Sequence, residues 1–381
     1  MSYIYVGTKQ SDLDARDSFF THSIVYYGEQ RSNSSVYSQK FRNDNKYEKP
    51  FTDFVIREMK SQISADPQCR FVFYANKLAW HILQFAKELK PFIASLNSLE
   101  LLNAVDNKMF FRAWRHTKTG LNPYRVMTKQ EIKYLSPDAS YVIQKSISAG
   151  GEGTYLWNRV SRDWVFPQLS PSQLYLVSDF MDGLSISCTI ICCSERTIVF
   201  PPNVQKVLIS QDTSYRFLFE GSDFVEGSKL PQVIRAEVRK QALAIGRELS
   251  SMGYRGICGI DFMWHAGMLL AMEVNPRFLG SSFLIDAALM DNHLPSLAYF
   301  HTLSFSSTTI ADKVVHKIEN IKIPYYSRVV TNGGEGTEAR IKAVLDTEDE
   351  KIAVFMDGFR LDALSMSGPD AYLFRIRGTT S

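Results

Sequence analysis

The sequence predicts a mixed α/β protein built from more than one lobe, and three observations support this class. The chain has 381 residues, enough for about two or three domains with separate cores. Strand and helix patterns alternate over the first hundred residues, which favours a small α/β lobe. Further on, a long amphipathic helix at residues 232–250 is followed by two apolar strands.

The elements can be assigned in chain order. In the first lobe, strands are predicted at 3–6 and 70–76, helices at 51–63 and 78–89, and a polar loop at 32–50. The later predicted elements are a helix at 96–114, strands at 141–145, 174–180 and 186–193, the helix at 232–250, strands at 257–264 and 268–274, and a β-rich tail from residue 311. The segment 201–229, which contains Lys206 and Arg216, is predicted to be loop.

Composition argues against several classes of protein. Lys and Arg total 43 against 40 Asp and Glu, and this net charge of +3 gives no reason to expect a nucleic-acid partner. No apolar run approaches the ~18–20 residues that cross a bilayer, so no membrane association is expected. We expect no export signal, because the first residues lack a basic segment followed by an apolar core. The odd count of five cysteines, without zinc-site spacing, predicts reduced thiols and a cytoplasmic protein.

The most informative segment is 259–277, which is predicted to form a hairpin turning at Ala266-Gly267. This hairpin places Asp261 close to opposite Glu273, and Asn275 points the same way as Glu273 because strand side chains alternate. The other face is predicted to be core, formed by Ile260, Phe262, Met272 and Val274.

Two like charges opposite each other destabilise a sheet, and a divalent cation between them removes that penalty. The ligands offered by Asp261, Glu273 and Asn275 are all hard oxygens, which favours Mg²⁺, or Mn²⁺ in its place. Mg²⁺ in proteins commonly takes further ligands from phosphate oxygens. The hairpin therefore indicates a nucleotide site.

Two other segments support a nucleotide. The loop 148–154 contains Gly150, Gly151 and Gly153 shortly after Lys145, and such a loop can turn its backbone N–H groups towards phosphate. It lacks the ending of a P-loop. The connector after the 174–180 strand can offer backbone groups to the edge of adenine, with Phe180 and Met181 as apolar walls.

The order of these features resembles the ATP-grasp superfamily over roughly residues 100–305. The features are Lys108 after Asp106-Asn107, Lys145 with its glycine loop, the connector 179–183, Asp261, and the Glu-Val-Asn-Pro-Arg segment ending at Arg277. The last segment, with an aspartate twelve residues before its glutamate, is the most specific. The resemblance implies an ATP-grasp fold, with a preceding α/β lobe at 1–100, the glycine lid in 101–175 and the Mg²⁺ and ATP site in 176–310. The tail 311–381 matches no part of the family and is predicted from its own short apolar runs to be a small β-rich domain.

The resemblance also implies roles for individual residues. Lys108 and Lys145 would contact the ATP phosphates, and the three glycines would form a lid over them. Asp261, Glu273 and Asn275 would bind the metal, and Arg277 would stabilise the acyl-phosphate and the tetrahedral intermediate. The implied adenine contacts are the backbones of Ser178 and Met181, with Phe180 nearby.

The sequence departs from the family in two places. Many relatives have a glutamate for the ribose hydroxyls where this chain has Ser185, which puts ribose binding at that position in question. D-alanine ligases carry an arginine where this chain has Gly259, which argues against that branch. Arg255 is a further basic candidate close to the hairpin.

The chemistry implied by the resemblance is ligation. A carboxylic acid would be activated by ATP as an acyl-phosphate and passed to an amine, releasing ADP and phosphate, and relatives are commonly dimers. A carrier-protein thiol is an alternative acceptor. The two other hypotheses are an inactive nucleotide-binding regulatory protein and a small-molecule kinase that performs no ligation.

Overall fold

The structure is a computed structural model of the chain. It describes residues 2–9, 18–27, 32–38, 48–119, 123–148, 153–210, 215–306, 308–331, 353–356 and 373–379.

The strands are β1 Tyr3–Lys9, β2 Phe20–Tyr27, β3 Ser34–Ser38, β4 Arg70–Phe73, β5 Arg125–Thr128, β6 Tyr141–Lys145, β7 Thr154–Trp157, β8 Leu174–Asp179, β9 Leu184–Cys192, β10 Thr197–Val199, β11 Asn203–Ile209, β12 Phe217–Asp223, β13 Gly256–His265, β14 Met268–Asn275, β15 Tyr325–Thr331, β16 Ala353–Met356 and β17 Leu373–Thr379. The helices are α1 Lys49–Ala65, α2 Asn76–Phe85, α3 Leu99–Val105, α4 Lys108–Thr119, α5 Lys129–Ile132, α6 Arg162–Gln168, α7 Phe224–Lys229, α8 Gln232–Ser251, α9 Ser282–Asp291, α10 Leu297–Leu303 and α11 Asp312–Glu319, with a 3-10 helix at Lys87–Phe92.

The N-terminal lobe contains a four-stranded parallel sheet in the order β3-β2-β1-β4. The α1 and α2 helices pack on it, as the apolar spacing predicts, and their buried side chains include Val55, Met59 and Ile82. The loop predicted at 32–50 is wrong in part, because β3 and the start of α1 lie within it. Strand β2 was not predicted, although Ile24 and Val25 are fully buried.

A second sheet of four strands, in the order β5-β8-β6-β7, is antiparallel throughout. It confirms the predicted strand 141–145, and β8 closely matches the one predicted at 174–180. The glycine loop lies between β6 and β7, so this sheet carries Lys145 at its rim.

The third sheet has nine strands, and its main path is β14-β13-β9-β11-β12-β15-β17-β16, with β10 paired to β9. The loop predicted over 201–229 is wrong, because β11, β12 and α7 occupy most of it. The tail after residue 311 begins with α11, and its three described strands continue this sheet beyond β12. The predicted boundaries at residues 100, 175 and 310 stay a prediction.

The largest core cluster lies where α8 packs against β9 and β13. On α8 the predicted face is buried, with Ile234, Val238, Ile245 and Leu249 spaced four or seven residues apart. Among the described helices, none is both long and apolar enough to span a membrane.

The helix predicted at 96–114 is two helices that meet at Asp106-Asn107. The side-chain oxygen of Asn107 accepts hydrogen bonds from the backbone N–H groups of Met109 (2.9 Å) and Phe110 (3.2 Å), which starts a new helix. This cap places Lys108 in the first turn of α4, at the edge of the third sheet.

The packing of α8 leads to a stability prediction. We expect Ile245→Ala to lower the free energy of unfolding by about 2–5 kcal/mol, because it leaves a cavity between α8 and the sheet. Val233→Ala on the same helix should change it by less than about 0.5 kcal/mol, since Val233 is 67% exposed. Urea unfolding of both variants measures the difference, and equal midpoints would contradict this packing.

Candidate active site

The hairpin of β13 and β14 is the centre of the site. Ala266 and Gly267 have φ values of +48° and +78°, as a two-residue type I′ turn requires. The turn sets a register in which Phe262 pairs with Ala271, and this register alone would place Met272 opposite Asp261. Met272 is instead the extra residue of a β-bulge, and the shift makes Glu273 the direct partner of Asp261, close to which the sequence predicts it.

The bulge corrects one part of the predicted core. Ile260, Phe262 and Val274 are buried in the main cluster, whereas Met272 is only partly buried and does not belong to that cluster. Ala271 takes the expected core position instead. Glu273 and Asn275 therefore keep their common face on the site side of the bulge.

The three predicted metal ligands meet on that face. The Asn275 Nδ2 atom donates to Asp261 Oδ2 at 3.0 Å and lies 3.5 Å from Glu273 Oε1. The Asn275 Oδ1 atom accepts a hydrogen bond from Arg277 Nη2 at 3.2 Å. In this arrangement an N–H group stands between the two carboxylates, and the amide oxygen faces the arginine.

Lys108 joins this group from α4. Its ammonium lies 2.8 Å from Glu273 Oε2 and donates to the backbone oxygen of Ser148 at 2.9 Å. Its own backbone N–H donates to the oxygen of Ser146 at 2.8 Å. Only 8% of the side chain is exposed. Lys108 thus connects the carboxylate pair to the start of the glycine loop.

Two polar residues that the sequence analysis missed support Asp261. Gln205, on β11, donates from Nε2 to Asp261 Oδ1 at 3.1 Å and accepts from Ser185 Oγ at 2.7 Å. Ser187 lies directly opposite Asp261 on β9 and hydrogen-bonds its carboxyl group. Because 201–229 was predicted to be loop, the face on which Gln205 lies could not be assigned. Ser185 itself is tied into this network.

The glycine loop is described only at its ends. Gly150 and Gly151 lie outside the described residues. Gly153 has φ +70°, and its backbone oxygen accepts from the Lys145 N–H at 2.9 Å. A Cβ at Gly153 would stand 2.5 Å from Lys145 Cδ, so the glycine lets the lysine stem pass close to the loop.

The connector between β8 and β9 lies against the hairpin. His265 Nδ1 is 2.7 Å from the backbone oxygen of Asp182, and a Cβ at Gly183 would stand 2.5 Å from the Trp264 oxygen. The Phe180 N–H donates to the backbone oxygen of Ser140, and the centroid of the Phe180 ring lies 6.4 Å from that of Phe217. The two predicted backbone contacts to adenine flank this residue: Ser178 is buried and Met181 partly buried.

Arg277 leaves the hairpin and reaches the N-terminal lobe. It forms an isolated antiparallel bridge with Ala75, and the next residue, Phe278, donates its N–H to the Tyr74 oxygen at 3.2 Å. The guanidinium also donates to the Phe278 oxygen at 3.1 Å. Ala75 and Tyr74 follow β4, so Arg277 lies at the carboxyl end of a parallel strand, where ligands of α/β sheets commonly bind.

The remaining basic candidates lie elsewhere. The Arg255 Nη1 atom donates to the oxygens of Ser250 (2.9 Å) and Tyr254 (2.8 Å), so this side chain holds the end of α8. Arg216 forms an isolated bridge with Tyr155 on β7, and Lys206 lies on β11 beside a register shift. No described contact places any of these three with the carboxylate pair.

Residues 106–281 match the family model described as ATP-grasp domain. This segment is an ATP-grasp domain. The match includes both lysines, the glycine loop, the connector and the hairpin up to Arg277.

Solved structures extend the ATP-grasp likeness to the whole chain. Carboxyaminoimidazole ribonucleotide synthase from Aspergillus clavatus, complexed with ATP, superposes with a TM-score of 0.65 at 11% identity, covering 100% of this chain and 94% of that chain. N5-carboxyaminoimidazole synthetase from Staphylococcus aureus, complexed with ADP, gives 0.62 at 11% identity, covering 100% and 93%. L-amino acid ligase from Bacillus licheniformis gives 0.58 at 12% identity, covering 100% and 94%.

At these identities the likeness establishes the fold, and the predicted ATP-grasp fold is confirmed. A comparison with curated protein sequences finds no match.

The electrostatics of the ATP-grasp site are unbalanced. Burial and the neighbouring Glu273 raise the pKa of Asp261 to about 7. Burial opposes ionisation of Glu273, but the Lys108 ammonium and hydrogen bonds from Asp261 and Asn275 together outweigh it and hold the pKa of Glu273 below its usual range. One carboxylate is therefore compensated by the lysine, and the other lacks a matching positive charge.

This imbalance fits a divalent cation. No cluster of three or more His, Cys, Asp or Glu side chains that could hold a metal alone occurs in the part of the chain that the structure describes. The site offers two carboxylates and one amide, which are hard oxygen donors suited to Mg²⁺. The remaining ligands would be water and phosphate oxygens, as is usual for Mg²⁺ bound with a nucleotide.

The raised pKa of Asp261 gives a pH-dependent prediction. Between the ordinary value of 3.8 and about 7, the folded protein retains a proton that the unfolded chain has released, so ionisation progressively destabilises the fold as pH rises. In metal-free buffer, Asp261→Asn should raise the thermal midpoint above that of the parent protein at pH 8, and this gain should vanish near pH 4. A gain of equal size at both pH values, measured by calorimetry, would contradict the assigned shift.

Proposed function

We propose that this protein is an ATP-dependent ligase that joins a carboxylic acid, such as an amino acid, to an amine and releases ADP and phosphate. The observation that carries the proposal is the contact of Lys108 with Glu273, directly opposite Asp261, beside the glycine loop. If the Lys108–Glu273 ion pair only stabilised the fold, it would not need Asp261 as a second, half-buried carboxylate opposite Glu273. A site for a metal-bound triphosphate requires both acids and the lysine.

The nucleotide would lie between the second and third sheets. Lys108 contacts Ser148 at the start of the glycine loop, and the Lys145 stem lies against Gly153 at its end. Both lysines would neutralise phosphate charge. Backbone groups near Ser178 and Met181, with the Phe180 ring, would contact adenine. Gly150, Gly151 and Gly153 would cover the phosphates and exclude water. Ser185, whose hydroxyl donates to Gln205, presents a neutral polar group where many relatives have a carboxylate for ribose.

Asp261, Glu273 and Asn275 would hold Mg²⁺ or Mn²⁺. For Asn275 to offer its oxygen, its amide must turn away from the orientation in which Oδ1 faces Arg277. Bound there, the metal ion would neutralise the charge that spreads over the transferred phosphoryl group.

The chain's own residues would then serve two steps. A substrate carboxylate oxygen attacks the γ-phosphorus, the bond to ADP breaks, and an acyl-phosphate forms while the lysines neutralise charge. An amine attacks the acyl carbon, phosphate leaves, and the amine loses a proton. Arg277 would stabilise the oxyanion between attack and departure, because its guanidinium bonds Asn275 beside the carboxylate pair while its backbone pairs with Ala75 of the N-terminal lobe.

The solved ligases support this class without fixing the substrates. One of the similar structures is an L-amino acid ligase, and another holds ADP and 5-aminoimidazole ribonucleotide. Because both proteins ligate or bind small molecules, we propose a small carboxylic acid and an amine as the substrates here. A carrier-protein thiol as acceptor and a homodimeric assembly stay predictions. So does the division into four parts at residues 100, 175 and 310.

The assay that tests the proposal uses the full chain with ATP, Mg²⁺, pooled amino acids and other carboxylic acids, and pooled amines. Ligation predicts ADP and inorganic phosphate whose release depends on both an acid and an acceptor. ADP without inorganic phosphate would identify a kinase instead. AMP with pyrophosphate would refute the acyl-phosphate route, and nucleotide binding without turnover would favour the inactive regulatory protein.

Replacement of one carboxylate tests the site within that assay. We expect Glu273→Gln to reduce turnover by about 100-fold or more, because it removes electrostatic stabilisation from the phosphoryl transfer. The far-ultraviolet circular dichroism should be unchanged. The matched control is Glu237→Gln on α8, whose carboxylate pairs with exposed Lys240. Near-normal rates in Glu273→Gln would remove the metal assignment.

A further inference from the structure

Arg112 is an unusually buried charge next to the site. It lies one turn after Lys108 on α4 and is only 1% exposed. Burial lowers its pKa to about 10, so the guanidinium is still charged at neutral pH. Burying such a group is unfavourable unless nearby groups compensate it.

The compensating groups of Arg112 belong to the bulge. Its Nε atom donates to the backbone oxygen of Met272 at 3.0 Å, and the acidic group whose charge acts on it is Glu273. Its Nη1 atom is buried and has no hydrogen-bond partner among the described residues. Met272 is the extra residue of the bulge, and Glu273 follows it directly.

The bulge determines where Glu273 points. Side chains alternate along a strand, and one extra residue changes which face each later side chain occupies. Because β14 is an edge strand, its outward carbonyl groups have no neighbouring strand to bond. Arg112 donates to the carbonyl oxygen of Met272, the bulge residue whose position sets the direction of Glu273.

We infer that Arg112 is a positioning residue, which fixes the Met272 bulge so that Glu273 faces Asp261 at the spacing that a nucleotide-bound divalent cation needs. This inference rests on the proposed function. It does not make Arg112 a catalytic residue, since its described contacts are with the strand and not with the space between the carboxylates.

Arg115, three residues further along α4, provides a matched comparison. It is also an arginine, only 6% exposed, but the acidic group near it is Glu248 on α8, at 3.9 Å. Replacement of either arginine removes a buried charge from the same helix. Arg112 donates to Met272, directly before Glu273, whereas the ion pair of Arg115 is with α8.

The test measures Mn²⁺ binding to the full chain by electron paramagnetic resonance, in the presence of a non-hydrolysable ATP analogue. Arg112→Met should weaken Mn²⁺ binding by about tenfold or more, as loss of a group that orients a metal ligand typically does. Arg115→Met should change it by less than about twofold, whatever its effect on the thermal midpoint. Binding of the nucleotide without metal should be similar in both variants.

If Arg112→Met does not fold, Arg112→Lys and Arg115→Lys replace the pair, because lysine keeps the charge without the planar fork of donors. Arg112→Lys should then weaken Mn²⁺ binding and Arg115→Lys should not. Equal Mn²⁺ affinities within either pair would overturn the inference and leave the proposed function intact. Failure of the parent protein to bind Mn²⁺ with nucleotide would refute the proposed function and the inference together.

Discussion

The repulsion between two carboxylates that face each other across one pair of strands is the constraint on which the rest of the site depends. Asp261 and Glu273 are held in this position by the register of an edge hairpin, which the turn at Ala266-Gly267 and the bulge at Met272 set together. Such a pair is unfavourable in a sheet unless positive charge lies close by. The elements next to the hairpin supply this positive charge.

Positive charge reaches the pair from two directions. Helix α4 contributes Lys108 to Glu273, and the chain after the hairpin brings Arg277 to the Asn275 oxygen. Asp261 receives only neutral donors, from Gln205, Ser187 and Asn275. This difference explains why the pKa values of the two acids move in opposite directions, and why the space next to Asp261 suits a cation supplied with the ligand.

The sequence allowed the hairpin and its turn to be predicted because both depend on local chemistry, and it placed Asp261 close to opposite Glu273. The bulge at Met272, which makes the two acids direct partners, could not be predicted from an alternating pattern. Gln205 could not be predicted in this role, since its position depends on β11 pairing with β9 far along the chain. The same applies to Arg112, whose neighbours follow from the packing of α4 on an edge strand. The tail strands were recognised as β, but the sheet that they join depends on a contact with β12.

The short Glu-Val-Asn-Pro-Arg segment is informative because each position has a separate physical reason. Glu273 and Asn275 share a face through strand alternation, and Val274 between them is buried on the other face. Pro276 has no N–H to donate, so it suits the end of an edge strand and stops the ladder there. The chain then turns, with the Arg277 N–H bonded to the Asn275 oxygen at 2.8 Å, and crosses to Ala75 of the N-terminal lobe. The five residues from Glu273 to Arg277 thus connect the proposed metal ligands to the N-terminal lobe, where an acid substrate would meet the arginine. A longer segment would move Arg277 away from the metal ligands.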